Sequence, residues 1–191
     1  MVHKFNPANQ HKLDNPERRK LLPPEETLSR FGLAEGDSIA DIGCGTGYFT
    51  LSAARVVGTQ GKVYALDIMP EMLEIARAKA KEKNFKNIEF IETKETDFIL
   101  PDAAVERALA CLVVHEADDP IAFFQEVKRI LQIGGHFYII EWTRQENSKM
   151  GPPLEHRIDG KALATVLEQA GFQNVEQFEL NSEMYAIIVK K

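Results

Sequence analysis

The sequence is poor in cysteine and contains no long apolar run. Its two cysteines, Cys44 and Cys111, form neither a CxxC pair nor a zinc-ligand spacing, so a disulfide framework and a metal site are not expected. No segment reaches the roughly 18 consecutive apolar residues of a membrane-spanning helix, and residues 1–10 lack the pattern of a signal peptide. We therefore expect a cytoplasmic protein without a membrane span.

Basic residues are in the minority. Lys and Arg number 23 against 29 Asp and Glu among 191 residues, which gives a net charge of −6, and 44% of the residues are hydrophobic. Nucleic acids and anionic membranes require a basic face, which this balance disfavours. The composition indicates a packed globular domain whose partner is a small molecule and not nucleic acid, and it indicates no particular oligomeric state.

The first 36 residues differ from the rest because they are polar and interrupted by prolines. Pro24, followed by two acidic residues, favours the first turn of a short helix that ends near Phe31 and Gly32. We expect residues 1–36 to form a helical appendage that acts as a lid on a single domain, residues 37–191.

Strands alternate with helices from residue 38 onward. The expected strands are nearly continuous apolar runs at 38–42, 62–67, 88–91, 107–114 and 136–142. The expected helices span 48–57, a segment opened by Pro70, and 120–131. This alternation predicts an α/β fold with a parallel sheet that is covered on both faces.

The pattern changes after the fifth strand. Residues 145–157 are polar, include Gly151-Pro152-Pro153, and predict an irregular loop long enough to have a role at the site. A helix over 159–170 is expected next, followed by strands at 175–180 and 184–190. Because only three residues separate these two strands, they must form an antiparallel hairpin.

The most informative segment is a glycine-rich turn between the first strand and the next helix. Gly43, Gly45 and Gly47 allow close approach of a ligand, and a helix beginning near Thr46 would point amide groups at it. Asp67 ends the second strand about 20 residues beyond Gly47, where a carboxylate can hold both hydroxyls of a ribose. The G-x-G-x-G spacing differs from the dinucleotide fingerprint G-x-G-x-x-G and from a phosphate-binding loop, but it still predicts a nucleoside ligand.

Two segments resemble the motifs of a known family. Residues 39–47 resemble the first motif of the class I S-adenosylmethionine-dependent methyltransferases, in particular the small-molecule, UbiE-like group, and residues 64–72 resemble the second. The resemblance continues through residues 112–116 and 131–135. It implies a doubly wound, Rossmann-like, seven-stranded sheet, mostly parallel with an antiparallel last strand. It also implies S-adenosylmethionine as cofactor, S-adenosylhomocysteine as product and a small-molecule methyl acceptor.

The resemblance also assigns roles to individual residues. Asp41 would lie near the ammonium of the methionine moiety, Asp67 would hold the ribose, and the Cys111 carbonyl would face the ammonium. Many members place an acid after strand three to meet the adenine, where this chain has Lys94 with Glu95 beside it. The implied cofactor-binding residues are Asp41, Gly43, Cys44, Gly45, Gly47, Asp67, Ile68, Met69, Glu95 and Cys111.

His115 and Glu116 are the candidate catalytic residues, because they follow strand four at the edge where ligands meet such sheets. A histidine there can remove a proton from an acceptor at neutral pH. The alternative is a hydrogen-bonded pair that only shapes the pocket, since methyl transfer can proceed by orientation alone. Glu141 and Trp142 either contact substrate or pack in the core. We expect His156 and Arg157 to be an exposed loop pair.

Three alternative functions remain. A nicotinamide-dependent oxidoreductase shares the βαβ unit but requires a substrate-binding half, for which few residues remain after strand five. A module that binds S-adenosylmethionine without catalysis has the same motifs. An amino-methylating nucleic-acid enzyme usually has Asn or Asp followed by Pro-Pro after strand four, and residues 111–115 do not match that pattern.

Overall fold

A seven-stranded sheet forms the centre of the computed structural model, which describes residues 14–146, 148 and 150–191. The strands are β1 Ser38–Ile42, β2 Lys62–Asp67, β3 Ile88–Glu92, β4 Val105–Cys111, β5 Leu131–Trp142, β6 Gln173–Glu179 and β7 Met184–Lys190. Their spatial order is β3-β2-β1-β4-β5-β7-β6. The pairs among β1 to β5 are parallel, whereas β7 runs antiparallel to both of its neighbours. The predicted fold class is confirmed.

Six α-helices accompany the sheet in the described residues. They are α1 Pro16–Leu21, α2 Pro24–Arg30, α3 Thr50–Val57, α4 Pro70–Glu82, α5 Pro120–Ile130 and α6 Gly160–Gln169. Proline opens four of them, where its missing N–H and fixed φ cost nothing. The carboxylates of Asp119 and Asp159 cap α5 and α6 by accepting backbone N–H groups of the first turn. No helix in the described part of the chain has the length and apolar character needed to cross a membrane.

Alternate residues of the strands point to two separate hydrophobic layers. Ala40 and Ile139 face the layer that contains the buried side chains of α5 and α6, such as Phe124. Ile39 and Tyr138 face the layer formed with α2 and α3. Because successive strand residues point to opposite faces, both faces of the sheet are covered by helices, as expected for a doubly wound fold.

The described part of the N-terminal segment packs against the second of these layers. Leu22 and Leu28 are 1% and 0% exposed, and the Tyr48 hydroxyl donates a hydrogen bond of 2.6 Å to the Leu22 carbonyl. The Phe31 ring stacks on Tyr138 with centroids 4.8 Å apart. Residues 24–30 form the predicted short helix. Residues 1–13 of the predicted lid lie outside the described residues.

Several element boundaries differ from the prediction, and three of these differences have a clear cause in backbone geometry or strand pairing. Strand four ends at Cys111 and not at Val114, because Leu112 has a φ of +60° and residues 114–116 form a 3-10 turn. The first helix of the domain begins at Thr50 and not near Thr46 or Tyr48, because Gly47 with a φ of +85° cannot continue a right-handed helix. Strand five begins at Leu131 instead of His136, since Leu131 already pairs with Val105 before the register shifts.

Candidate functional site

The site lies where three strands end at one edge of the sheet. Ile42 of β1 pairs with Leu66 of β2 and with Ala110 of β4, so the residues that follow these strands meet at the same level. They surround a cavity of 620 Å³. The predicted site residues that line it are Asp41, Gly43, Cys44, Gly45, Asp67, Ile68, Met69, Glu95, Cys111, His115 and Glu116.

The glycine turn forms the floor of this cavity. Gly43, Gly45 and Gly47 have φ values of +68°, +53° and +85°. Residues other than glycine rarely adopt this backbone conformation. A Cβ atom on Gly43 would lie 2.5 Å from Cγ2 of Val113. A Cβ on Gly47 would lie 3.2 Å from the Cβ of Ala76 in α4, and Gly47 is not part of the cavity lining. Gly47 thus allows the turn to pack against α4.

Asp67 connects the glycine turn to the segment after β2. Its Oδ2 accepts the N–H of Gly45 at 2.8 Å, and its Oδ1 accepts the N–H of Met69 at 2.9 Å. Only 5% of the residue is exposed. Burial raises the pKa of the Asp67 carboxyl, although the amide hydrogen bonds oppose this effect. The carboxylate therefore lies at the end of β2 on the cavity lining, and its contact with a ribose stays a prediction.

Asp41 is the second carboxylate at the floor. Its Oδ2 accepts a hydrogen bond of 2.5 Å from the Thr50 hydroxyl, and the residue is 3% exposed. Burial raises the pKa of Asp41 to about 6, with the nearby Asp67 charge adding to the effect. A cationic group next to Asp41 would favour its ionised form.

One buried polar atom on the floor lacks a partner in the described part of the chain. Thr46 is 3% exposed, and its Oγ1 accepts or donates no hydrogen bond among the described residues. A buried hydroxyl in this situation is costly unless a ligand satisfies it. Together, the open backbone of the turn, the Thr46 hydroxyl and the two carboxylates fit a ligand with ribose hydroxyls, an ammonium and a carboxylate. S-adenosylmethionine has these groups.

The two cysteines lie in surroundings that disfavour thiolates. Burial raises the pKa of Cys111 to about 12 and that of Cys44 well above its usual value. The Cys111 thiol accepts a hydrogen bond of 3.8 Å from Nη2 of Arg18. These environments favour the interpretation of both cysteines as packing residues and not as nucleophiles.

Glu95 and Ile68 lie on the side of the cavity toward β3. Oε1 of Glu95 accepts the backbone N–H groups of Asp118 and, at 3.4 Å, of Asp119. The structure thus connects Glu95 to the loop before α5. Ile68 is 45% exposed on the cavity wall, as expected for an apolar residue that a ligand ring could cover. The contact of Glu95 with the adenine and that of Ile68 with the cofactor stay predictions.

His115 is held by a buried carboxylate. Its Nδ1 lies 2.8 Å from Oε2 of Glu141, and its Nε2 lies 3.7 Å from Oε1 of Glu116. Burial alone would lower the pKa of His115, but the hydrogen bond and charge of Glu141, with Glu116, raise it. Glu141 is thus a partner of His115, a role that the sequence did not indicate. Trp142, the next residue, lines the cavity.

The loop after β5 is attached through Arg157, which the sequence predicted to be exposed. Arg157 is only 7% exposed, and its guanidinium donates to the carbonyls of Pro152 at 3.0 Å, Thr143 at 2.9 Å and Met150. The expectation was wrong because the guanidinium carries several donors and satisfies three backbone carbonyls of this irregular segment at once. Arg157 thus holds the loop beside Trp142.

The sequence also failed to indicate several apolar cavity residues and one cation. Those that line the cavity are Arg18, Phe98, Leu112, Val113 and Phe123. Trp142 and the loop residues Met150, Pro152 and Pro153 also line it, as the sequence allowed. They come from distant segments, so no local motif could have grouped them. Within the described ranges, no three His, Cys, Asp or Glu side chains are arranged to hold a metal ion.

Several known proteins are similar to this chain in sequence. Residues 33–171 match a family model described as a methyltransferase domain. The chain is 35% identical over 116 residues to the demethylmenaquinone methyltransferase of Lactococcus lactis, covering 61% of this chain and 46% of that protein. It is 29% identical over 122 residues to the ubiquinone/menaquinone biosynthesis C-methyltransferase UbiE of Hahella chejuensis, covering 63% and 49%. The chain thus spans about half the length of the curated relatives it matches.

A solved structure is similar over nearly the whole chain. The crystal structure of an S-adenosylmethionine-dependent methyltransferase from Aquifex aeolicus superposes with a TM-score of 0.93 at 33% identity. The similarity covers 98% of this chain and 99% of that one. It therefore includes the N-terminal segment and the terminal hairpin, which the family model does not cover.

Proposed function

Because the chain belongs to the methyltransferase domain family, as a class I S-adenosylmethionine-dependent methyltransferase, we propose that it transfers a methyl group from this cofactor to a small-molecule acceptor. The observation that carries the proposal is the cavity at the strand ends. It combines a glycine turn and Asp67 on its floor with His115 on its wall, and His115 is paired with the buried Glu141. The first part suits the cofactor, and the second suits an acceptor that must lose a proton.

Five residues of the floor would hold the cofactor. Asp67 would bind the ribose hydroxyls, Asp41 the ammonium, and Thr46 a polar group of the methionine moiety, while Gly43 and Gly45 keep the space open. When bound, S-adenosylmethionine supplies a methyl group on a positively charged sulfur. Asp41 would match the positive charge of the ammonium, and Asp67 would accept hydrogen bonds from the ribose hydroxyls.

His115 would act as the base. With Nδ1–H donated to Glu141, the imidazole presents the unprotonated Nε2, which can accept a proton from an acceptor O–H, N–H or S–H group. Glu141 then stabilises the imidazolium that forms. Glu141 is completely buried, so it positions the ring without reaching the acceptor itself.

The apolar walls restrict the acceptor to a compact and largely apolar molecule. Phe98, Phe123, Trp142 and Met150 are among the apolar residues that line the cavity. Such walls exclude water, which strengthens the electrostatic interactions within the site. We propose that the residues after β5 and the N-terminal segment close the cavity around the acceptor.

A methyl-transfer assay tests this function. Formation of S-adenosylhomocysteine would be measured with a panel of phenols, enols, amines and thiols, including demethylmenaquinone, which the curated relatives' names specify. We expect turnover with at least one acceptor and a loss of about 10-fold or more in cofactor affinity in Asp67→Asn. The matched control is Asp102→Asn, since 82% of the Asp102 side chain is exposed. Cofactor binding without turnover would favour the inactive module, and binding of NADH alone would favour an oxidoreductase.

A further inference from the structure

Arg18 extends from the N-terminal segment into the cofactor end of the cavity. Its guanidinium carbon lies 4.3 Å from the centre of the Tyr48 ring, and its Nη2 lies 3.8 Å from Sγ of Cys111. The guanidinium also lowers the pKa of Asp41 by its positive charge, although burial prevails. Arg18 is therefore close to the glycine turn and to the end of β4, although about 25 residues separate it from the turn in sequence.

The charges of this end of the cavity are mostly negative. Asp41 and Asp67 are its carboxylates, and they suit an ammonium but would repel a carboxylate on the same ligand. The permanently charged cations of the cavity lining in the described ranges are Arg18 and Lys94. Lys94 follows β3, which is separated from β1 by β2, so Arg18 is the cation nearest the Asp41 side.

Polar contacts hold the helix that carries Arg18. No residue of α1 is buried. Its end is attached by two hydrogen bonds, from Asn181 Nδ2 to the Leu21 carbonyl at 2.9 Å and from Tyr48 to the Leu22 carbonyl. Because little apolar area fixes the first turn of α1, one additional charged contact there changes its stability appreciably.

We propose that Arg18 binds the carboxylate of the cofactor's methionine moiety, with the Thr46 hydroxyl as second donor, and that cofactor binding thereby holds α1 over the cavity. A guanidinium forms two parallel hydrogen bonds to a carboxylate, and this contact satisfies the buried Thr46 Oγ1 as well. The assignment rests on the proposed function and adds to it a carboxylate subsite and a coupling to the lid.

The test compares two ligands in two proteins. The ligands are S-adenosylhomocysteine and its decarboxylated analogue, which keeps the adenosine, the thioether and the ammonium. In the wild-type protein we expect the analogue to bind about 10- to 100-fold more weakly, measured by calorimetry. In Arg18→Met most of this difference should disappear, whereas Arg18→Lys should keep part of it. Arg19→Met is the matched control, because Arg19 lies 5.4 Å from the same ring, pairs with Asp14 and does not line the cavity.

Hydrogen exchange gives an independent readout of the lid. We expect S-adenosylhomocysteine to slow amide exchange in residues 16–22 of the wild-type protein, and the decarboxylated analogue to leave it nearly unchanged. The Arg18 assignment is overturned if the carboxylate of S-adenosylhomocysteine contributes as much to its affinity in Arg18→Met as in the wild type. If the wild type binds neither ligand, the proposed function itself fails. Equal exchange with both ligands would overturn the coupling to α1.

Discussion

Nδ1 of His115 lies 2.8 Å from Oε2 of Glu141, a residue with no exposed surface. The same carboxylate accepts the backbone N–H groups of His115 at 3.2 Å and of Trp142 at 3.3 Å. It therefore ties the end of β5 to the turn after β4 and fixes the orientation of the imidazole. These contacts satisfy the buried charge, which would otherwise be strongly destabilising.

Replacement of Glu141 by Gln should change the pH dependence of methyl transfer. Because Glu141 raises the pKa of His115, its neutralisation lowers that pKa, and the ascending limb of kcat against pH moves to lower pH. The maximal rate should also fall, by up to about 100-fold, since the imidazolium loses its counter-charge. In His115→Asn the ascending limb should be absent. A limb that stays in place in Glu141→Gln would show that another group is the base.

Cofactor affinity should depend on the ionisation of Asp41. Its pKa of about 6 means that the carboxyl is partly protonated at pH 5 to 6 and ionised above pH 7. The ammonium of S-adenosylhomocysteine favours the ionised form, so affinity should rise between about pH 5 and 7. Calorimetric titrations across this range measure the effect. Asp41→Asn should bind more weakly at pH 7 and show a flatter profile, and an unchanged pH dependence would contradict the role of Asp41.

The free protein should show the opposite dependence in its stability. The folded pKa of Asp41 is raised above the ordinary value of 3.8, so the folded state binds more protons than the unfolded state between these pKa values. The contribution of Asp41 to the free energy of unfolding is therefore greatest below about pH 4 and decreases as pH rises through 6. Urea denaturation of the wild type and Asp41→Asn at several pH values isolates this contribution. A pH-independent difference between the two proteins would show that Asp41 has an ordinary pKa.

Gly43→Ala should destabilise both the turn and the cofactor site. The new Cβ would lie 2.5 Å from Val113 Cγ2 at a residue with a φ of +68°. The left-handed backbone costs about 1 kcal/mol and the clash another 1–3 kcal/mol. Gly32→Ala is the matched control, because its φ is +75° but its Cβ would have no atom within 4 Å. The variant Gly43→Ala with Val113→Ala should recover the steric part only. Equal urea midpoints for the Gly32 and Gly43 variants would exclude the clash.

The sequence predicted the framework of the site well because that framework is local. Gly43, Gly45 and Asp67 belong to one strand-turn-helix-strand unit, in which chain connectivity and the period of apolar residues fix the geometry. The antiparallel pairing of the last two strands followed from the three-residue connection before Met184. Boundaries were less accurate where a single dihedral angle decides, as at Leu112, whose positive φ ends β4 early.

The walls of the site could not be predicted, because they depend on contacts between distant segments. Arginine is usually a surface residue, yet three backbone carbonyls accept hydrogen bonds from the guanidinium of Arg157. Glu141 could equally have faced substrate, and only the close approach of His115 identifies its partner. Arg18 belongs to a polar segment without a motif. Each of these residues has its role through tertiary packing, which periodicity does not encode.

Tyr48→Phe should destabilise the attachment of the N-terminal segment. The Tyr48 hydroxyl donates a 2.6 Å hydrogen bond to the Leu22 carbonyl, and both residues are at most 5% exposed. Its removal leaves a buried carbonyl without this donor, which should lower the free energy of unfolding by about 1–2 kcal/mol. For a chain of this length, each kcal/mol corresponds to a decrease of roughly 2–4 °C in Tm.

Tyr64→Phe is the control for this change. Tyr64 is a half-buried residue of β2 for which no hydroxyl hydrogen bond is found among the described residues, so its Tm should change much less. Because Tyr48 also lies beneath the Arg18 guanidinium, and phenylalanine keeps that ring, the Arg18 contact should survive in Tyr48→Phe. Faster amide exchange in residues 16–22, with nearly unchanged affinity for S-adenosylhomocysteine, would therefore separate the anchoring of α1 from its contact with the cofactor. Equal Tm values for the two variants would show that the hydroxyl does not anchor the segment.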